Sequence, residues 1–371
     1  MLSKKETYSY LTYGAKCNSV ELEAFLVHLL QQTDEQRPTP VCIWGKHGIG
    51  KTELVQELAR KLDFQLVYLA PAQFEEMGDL VGMPKIVTDN QGREVSRLMP
   101  PDWVPNAEGP GILLLDDVNR ADDRILRGIM QLLQQYALVS WQLPKQWHII
   151  LTANPDGGDY SVTPMDDAII TRMIHVTMEF EVKSWARWAD AAGIDARGIN
   201  FVLSYPEVVN GQRTTPRTLV QFFREIQKIG PLEKQTKLVK MLGDACLDAE
   251  TTAAFISFVQ RGHHQLPGPE DLLNAAHPDK LQELVENLTT LQGENVDLLS
   301  VLTTRLLNYI QNHVAELTEE QLTNLRHFLL QELLPNDLRL ALAQELMAMD
   351  DVKLRSLMAN PEVGKLLLMG M

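Results

Sequence analysis

The amino-acid sequence predicts an α/β fold, in which helices flank a parallel sheet, followed by regions that contain helices alone. Short apolar runs, most of them with β-branched residues, are typical of buried parallel strands, and they occupy residues 41–44, 66–69, 112–115, 148–151 and 174–176. Between them, apolar residues recur at helical spacing, as in Leu54, Leu58 and Leu62, or in Ile125, Ile129, Leu132 and Leu133. Strands that alternate with helices favour a parallel sheet.

The length and the net charge of the chain limit its domain count and the partners that it is expected to bind. The chain has 371 residues, enough for two or three domains, and carries 34 basic and 49 acidic residues, a formal charge of −15. An acidic surface repels phosphate backbones, so double-stranded nucleic acid is a disfavoured partner, although a local basic groove stays open.

The cysteines and the apolar segments point to a particular compartment. Cys17, Cys42 and Cys246 lie far apart and show no metal-ligand spacing, which disfavours a disulfide framework and a structural zinc site. The N-terminal residues lack the apolar stretch of a signal peptide, and no apolar run has the length of a membrane span. We therefore expect a soluble, cytoplasmic protein.

A phosphate-binding loop follows the first predicted buried strand. Its pattern is G-x-x-x-x-G-K-[ST], written here as Gly45-Lys46-His47-Gly48-Ile49-Gly50-Lys51-Thr52. Glycines let backbone N–H groups surround a phosphate, and the helix that follows presents its positive end to the same anion. Lys51 would reach the β- and γ-phosphates of a nucleotide, and Thr52 would bind Mg²⁺. A chance glycine-rich turn is the alternative, which the flanking strand and helix disfavour; the His47 side chain receives no role.

Two carboxylates end the strand at 112–115. Asp116 would hold the Mg²⁺ shell, and Asp117 would orient or deprotonate the attacking water. Such a run is weak evidence alone, but about sixty residues after a phosphate-binding loop it is strong evidence for the Walker B motif.

Several motifs together resemble those of MoxR-type AAA+ ATPases, the dynein-related branch that includes the CbbQ and NorQ proteins. Residues 116–121, Asp-Asp-Val-Asn-Arg-Ala, resemble the family signature D-E-[IV]-N-R-A, and residues 20–230 follow the family's order of motifs. Residues 152–155 resemble the sensor 1 segment, in which Asn154 would position the lytic water. Residues 165–172 are similar to the segment that ends in the arginine finger, here Arg172, and residues 215–217 resemble sensor 2, with Arg217 on a helical lid.

The resemblance implies a P-loop AAA+ core at residues 1–180 and a small all-α lid at 181–254, in whose core Trp185 and Trp188 are expected. Beyond about residue 255 the resemblance thins, and composition and spacing predict an acidic, Leu-rich helical extension at 255–371. The resemblance further implies ATP and Mg²⁺ as cofactors, a ring, expected to be a hexamer, in which Arg172 acts on the neighbouring subunit, and chaperone-like remodelling of a protein client. A partner with a von Willebrand factor A domain is also implied. Arg172 and Arg217 could instead be ordinary surface residues, and Arg120 could be either an intersubunit contact or a surface residue.

One residue departs from the family pattern. The second Walker B acid is usually Glu, and Asp117 is one methylene shorter, which moves the carboxylate back by about 1.5 Å and predicts slow to moderate hydrolysis. This departure keeps open a nucleotide-binding regulatory scaffold with little turnover. A nucleic-acid-associated AAA+ motor is a further alternative, which the acidic charge disfavours.

Two hairpins and a helical tail complete the prediction. Lys85–Val87, a turn at 89–92 and Val95–Leu98 predict a hairpin like the family's helix-two insert, which faces the ring axis; it would pack on its own domain or contact a client. A second hairpin is predicted over 138–148. Residues 231–371 hold 20 acidic and 11 basic residues. Apolar residues at helical spacing predict amphipathic helices there, over residues 281–291, 302–310 and 322–333, and a capping box at Thr318 opens the last of them. The extension could stabilise a ring, dock a partner or simply present a solvated face.

Overall fold

The computed structural model describes residues 13–31, 37–155, 162–276, 280, 283 and 295–368. The chain divides into two compact units, residues 1–180 and residues 181–371. No helix within the described residues is long and apolar enough to cross a membrane.

The first unit is built on a parallel sheet. In chain order its strands and those of two small hairpins are β1 (Ala15–Cys17), β2 (Val41–Trp44), β3 (Gln65–Leu69), β4 (Met83–Thr88), β5 (Glu94–Met99), β6 (Gly111–Leu115), β7 (Ala137–Leu138), β8 (Trp141–Gln142), β9 (Trp147–Ala153) and β10 (Ile174–Met178). Six of them form the sheet, in the order β1-β10-β2-β9-β6-β3, and every neighbouring pair is parallel. The five predicted strands are confirmed.

Helices cover both faces of this sheet. They are α1 (Ser19–Leu30), α2 (Lys51–Lys61), α3 (Met77–Val81), α4 (Asp123–Gln135) and α5 (Asp167–Ile170). Successive strand residues point to opposite faces, so Leu113 and Leu115 join one buried cluster with α4, while Ile112 and Leu114 join a second cluster with α1 and α2. Burial on both faces explains why the central strands are continuous apolar runs.

The two hairpins differ in how well the sequence predicted them. The insert is an antiparallel pair of β4 and β5, as predicted. The second hairpin is smaller than the predicted span of 138–148, because only β7 and β8 pair and residue 147 already belongs to β9. Pro144 has no backbone N–H to donate to a ladder, which explains why the pairing stops before it.

The second unit contains helices joined by turns and loops, and no strand, within its described residues. Its helices are α6 (Val182–Ala191), α7 (Ala196–Ser204), α8 (Pro216–Ile226), α9 (Thr236–Cys246), α10 (Ala249–Gln260), α11 (Pro269–Leu273), α12 (Asn295–His313), α13 (Glu319–Leu329), α14 (Asn336–Ala348), α15 (Val352–Met358) and α16 (Pro361–Leu368). The predicted capping box is present at Thr318 and Gln321, and the predicted apolar stripe on α12 is buried. Apart from residue 283, the helix predicted over residues 281–291 lies outside the described residues.

The expected division of this unit into lid and extension remains a prediction. Residue 254 lies inside α10, so a boundary at that point would cut a helix. Helix α12 also packs against α6 and α7, and Leu203 of α7 contacts the buried cluster of the later helices. Trp185 is buried as predicted for a lid core, whereas Trp188 is 37% exposed, so the core prediction is wrong for Trp188.

Candidate functional site

Three adjacent strands of the sheet end at one edge, and a predicted site residue follows each of them. Gly45 follows β2, Asp116 follows β6 and Asn154 follows β9, and β9 lies between the other two strands. Because parallel strands share their carboxyl edge, segments far apart in sequence meet there.

Glycine is required at two positions of the phosphate-binding loop. Gly50 has φ +100°, in the left-handed region that disfavours other residues. A Cβ atom at Gly45 would lie 2.8 Å from the carbonyl oxygen of Met178. Helix α2 starts directly after Gly50, and no side chain caps it. Its first N–H groups are thus suited to bind an anion.

Lys51 is buried at the centre of this loop, with only 5% of its surface exposed. Its ammonium group donates hydrogen bonds to the carbonyl oxygens of Gly45, at 2.7 Å, and Lys46, at 3.1 Å. It also lies 3.3 Å from Oδ1 of Asn154. The positive charge is therefore held between the loop and the end of β9.

The carboxylate of Asp116 accepts hydrogen bonds from three hydroxyl groups, which belong to three different segments of the chain. Its Oδ1 accepts from Thr52, at 2.6 Å, and from Thr152, at 2.7 Å, while its Oδ2 accepts from Tyr68, at 3.0 Å. Burial and then the charge of Asp116 raise the pKa of Tyr68 to about 12, so Tyr68 stays a donor at neutral pH. Asp116 thereby ties the phosphate-binding loop, β9 and β3 together at one point.

This donor set fits a magnesium ion that is shared with a nucleotide. Mg²⁺ usually keeps several waters and takes one or two protein oxygens together with substrate phosphates, which matches the oxygens of Thr52 and Asp116. The described residues contain no group of three or more His, Cys, Asp or Glu side chains that could hold a metal by themselves. If Mg²⁺ binds here, Thr52 and Asp116 would supply only part of its coordination shell.

Asp117 is held in an unusual backbone conformation, with φ +48° and ψ +45°. Its N–H donates to Oγ1 of Thr152, at 2.8 Å. Its Oδ1 accepts from Nδ2 of Asn154, at 3.0 Å, and its Oδ2 lies 3.2 Å from Nε of Arg120. Both carboxylate oxygens therefore have partners, and the side chain remains accessible enough to meet a water.

Asn119 and Thr152 are site residues to which sequence reasoning assigned no role. Asn119 is fully buried, and its side-chain amide pairs with the backbone of Asn154 in both directions: Nδ2 donates to the carbonyl at 2.8 Å, and Oδ1 accepts the N–H at 3.1 Å. The Thr152 hydroxyl joins Asp116 to the backbone of Asp117. Both residues lie inside predicted motifs, Asn119 in residues 116–121 and Thr152 in residues 152–155, and this position is the feature of the sequence that could have identified them.

One of the two predicted catalytic arginines lies in each unit. Arg172, just beyond α5, contacts the carbonyl oxygen of Ala168 and lies 3.3 Å from Oε1 of Gln134 on α4. Arg217 is an exposed residue in the first turn of α8, in the second unit, where Thr215 caps the helix.

Two histidines lie in strands β9 and β10 of the sheet. His148 is buried, and burial lowers its pKa. His175 is half-buried, and its Nδ1 accepts the indole N–H of Trp44 at 2.9 Å, so Nε2 carries the proton that bonds to the carbonyl of Ile170. Both observations agree with a structural role.

Comparison with known proteins places most of the first unit in an established class of domain. Residues 40–173 match the sequence model of the AAA domain, dynein-related subfamily. This segment contains the phosphate-binding loop, Asp116, Asp117, Asn154 and Arg172. Together with the sheet order it confirms the predicted fold class, an AAA+ parallel sheet flanked by helices and followed by helical regions. No curated protein matches the sequence.

Solved structures resemble the chain only distantly. The RuvB Holliday junction branch migration motor of Thermotoga maritima aligns with 13% identity and a TM-score of 0.40, over 73% of this chain and 80% of that chain. A putative ATPase from Cytophaga hutchinsonii aligns with 15% identity and a TM-score of 0.32, over 83% and 88% of the two chains. Hsp104 with ATPγS and casein aligns with 15% identity and a TM-score of 0.32, over 47% and 34%. Likeness at this level does not identify a function.

Proposed function

We propose that the protein binds ATP with Mg²⁺ at the carboxyl edge of its sheet and hydrolyses it to ADP and phosphate. The observation that carries this proposal is the continuous link from Lys51 through Asn154 to Asp117, which connects a phosphate-binding cation to a carboxylate. A buried ammonium and an acid bridged by one amide suit phosphoryl transfer, where charge must be stabilised beside an oriented water.

Each residue then has a defined task. Backbone N–H groups of 45–52 and the Lys51 ammonium hold the β- and γ-phosphates, and Thr52 with Asp116 would hold Mg²⁺, which neutralises phosphate charge when bound. Asn154 and Asp117 orient a water, whose oxygen forms a bond to the γ-phosphorus as the bond to the bridging oxygen breaks. The proton of the water passes to the Asp117 carboxylate.

The geometry of Asp117 favours slow turnover. Its oxygens contact Asn154 and Arg120, so binding a water requires one of these contacts to be shared or exchanged. The shorter side chain also leaves the base further from the γ-phosphate than Glu would. A nucleotide-binding scaffold with little turnover is the second candidate that this residue supports.

Phosphate release from the purified protein tests the proposal. With ATP and Mg²⁺ we expect the wild type to release phosphate. Lys51→Ala should release it about 100-fold more slowly, because the phosphates lose their buried cation. Lys61→Ala is the matched control, since Lys61 lies on the same helix in exposed ion pairs with Glu23 and Glu57. Equal rates for the wild type and Lys51→Ala would contradict ATP hydrolysis at this site and would favour the nucleotide-binding scaffold.

We further propose that the chain acts as a ring, expected to be a hexamer, and remodels a protein client. The match to an AAA domain and the resemblance to MoxR-type ATPases support this. Arg172 would complete the site of a neighbouring subunit, Arg217 would approach the γ-phosphate from the lid, and the β4–β5 hairpin would contact the client. A separate protein with a von Willebrand factor A domain is the proposed partner.

A further inference from the structure

The β4–β5 hairpin is a ribbon of two strands with no further strand paired to it in the part of the chain that the structure describes. Cross-strand pairs share a face, so Met83 with Met99, Lys85 with Arg97, and Val87 with Val95 lie on one side of the ribbon. This side, here named the basic face, presents a positive pair between two apolar pairs.

The root of the ribbon is firmly held. Three successive carbonyl oxygens of α3, those of residues 79, 80 and 81, accept hydrogen bonds from the indole of Trp103 at 3.2 Å, the indole of Trp141 at 3.0 Å and the hydroxyl of Ser140. Trp103 also packs edge-on against Trp141, with ring centroids 5.2 Å apart. The ribbon is therefore fixed where it leaves the domain, which lowers the entropic cost of binding along it.

Apolar and charged groups on the ribbon remain exposed. Ile86 is 70% exposed, Met83 55% and Met99 45%. Like charges directly opposite each other destabilise a hairpin, and no ion pair within the described residues compensates Lys85 or Arg97. Arg93 at the turn, by contrast, pairs with Asp89. The basic face therefore carries positive charge that no acidic side chain among the described residues pairs with.

The two edges of the ribbon are not equivalent. Pro84 removes one backbone donor from β4, a common way to block pairing at a sheet edge. Strand β5 has no proline, and along it Val95, Arg97 and Met99 alternate onto the basic face. An open edge whose side chains run apolar, basic, apolar is a template for an added strand.

We propose that the outer edge of β5 binds an extended segment of the client as a third strand, with the pattern apolar–x–acidic–x–apolar. The acidic residue would lie beside Arg97, and the apolar residues beside Val95 and Met99. Backbone hydrogen bonds supply affinity and the alternate side chains supply selectivity. The inference deepens the proposed function and rests on it for the identity of the partner as client, but the binding itself requires no hydrolysis.

A labelled heptapeptide, Thr-Val-Thr-Glu-Thr-Val-Thr, tests the proposal by fluorescence anisotropy with the full-length protein. Its palindromic order lets it pair in either direction. We expect it to bind at least about tenfold more tightly than the same peptide with Lys in place of Glu, and N-methylation of its backbone should abolish binding. Absence of binding, or equal binding of the two peptides, would overturn the proposal.

Two variants separate a strand-edge contact from general attraction. Arg97→Glu should reverse the preference toward the Lys peptide, whereas Ser96→Glu makes an acidic change on the opposite face and should leave the preference for Glu in place. Equal loss in both variants would contradict the assigned face. Peptide binding is also measured with Lys51→Ala, so that a failure of ATP hydrolysis and a failure of strand addition are scored independently.

Discussion

Buried polar groups at the sheet edge of the first unit are hydrogen-bonded, whereas several buried polar groups in the helical core of the second unit have no partner among the described residues. At the sheet edge, the buried hydroxyl of Thr152 and the buried amide of Asn119 use both donor and acceptor capacity. In the second unit, buried atoms without a hydrogen-bond partner include Oδ1 of Asn200, Nε of Arg305 and Nδ2 of Asn308. A fully satisfied network defines one arrangement, whereas unsatisfied groups cost stability.

Arg305 illustrates the cost. Only 6% of its surface is exposed, and burial lowers its pKa. Asp190 lies within its electrostatic influence, yet burial still raises the pKa of that carboxyl. The buried polar groups around Asp116 and Asn154 therefore organise a site, whereas Arg305 and its unsatisfied neighbours in the second unit oppose the packing around them.

Among substitutions of buried polar groups, Asn119→Asp is expected to reduce hydrolysis the most. The new carboxylate can accept from the N–H of Asn154 but faces its carbonyl oxygen without a proton to donate, so Asn154 shifts. Displacement of a positioning group by about 1 Å can cost roughly 100-fold, so we expect the hydrolysis rate to fall by 10- to 100-fold while nucleotide affinity changes by less than about threefold.

Asn324→Asp is the matched control in the second unit. Asn324 is buried and donates to the carbonyl oxygens of Leu273, at 2.8 Å, and Ala275, at 3.0 Å. Its replacement should lower the free energy of unfolding by about 1–3 kcal/mol and leave hydrolysis unchanged. Similar losses of rate in both variants would mean that Asn119 acts only through stability.

Asp117→Glu should have an intermediate effect. The longer side chain advances the carboxylate by about 1.5 Å toward the attacking water, and we expect the rate of phosphate release to rise about tenfold. Single-turnover kinetics would place the change in the chemical step. A rate that stays constant or falls would show that the backbone conformation of Asp117 already compensates for its length.

The smallest effect is expected from Asp190→Asn. Burial raises the folded-state pKa above the ordinary value of 3.8, so the ionised carboxylate destabilises the native state at neutral pH. The variant should therefore melt at a higher temperature than the wild type at pH 7. The difference should shrink as the pH falls through the raised pKa and vanish below 3.8. A difference independent of pH would contradict this account.

The sequence predicted the parts of the fold in which chemistry or burial leaves little freedom. The central strands are continuous apolar runs, and the loop at 45–52 has one spacing that suits a phosphate. Strand β1 is short and largely exposed, so it has no such pattern. The pairing of Asn119 with Asn154 joins residues 35 positions apart, and periodicity carries no information about it.

The insert hairpin shows the same limit. Its strands followed from alternation and a turn sequence, but two outcomes for its side chains stayed open. Trp103 is half-buried against Trp141, so this part of the insert packs on its own domain, whereas Ile86 is exposed and the contact with a client stays a prediction. Exposure depends on the neighbouring elements rather than on the strand's own residues.

We propose that the sheet edge of one subunit hydrolyses ATP with its own Lys51 and with Arg172 of a neighbouring subunit. Mixing Lys51→Ala with Arg172→Ala subunits tests this arrangement. Each variant alone should be inactive, and an equal mixture that exchanges subunits should recover up to about a quarter of the wild-type rate, since about a quarter of the sites would then hold both residues. A mixture as inactive as its components, or an Arg172→Ala variant as active as the wild type, would contradict the claim.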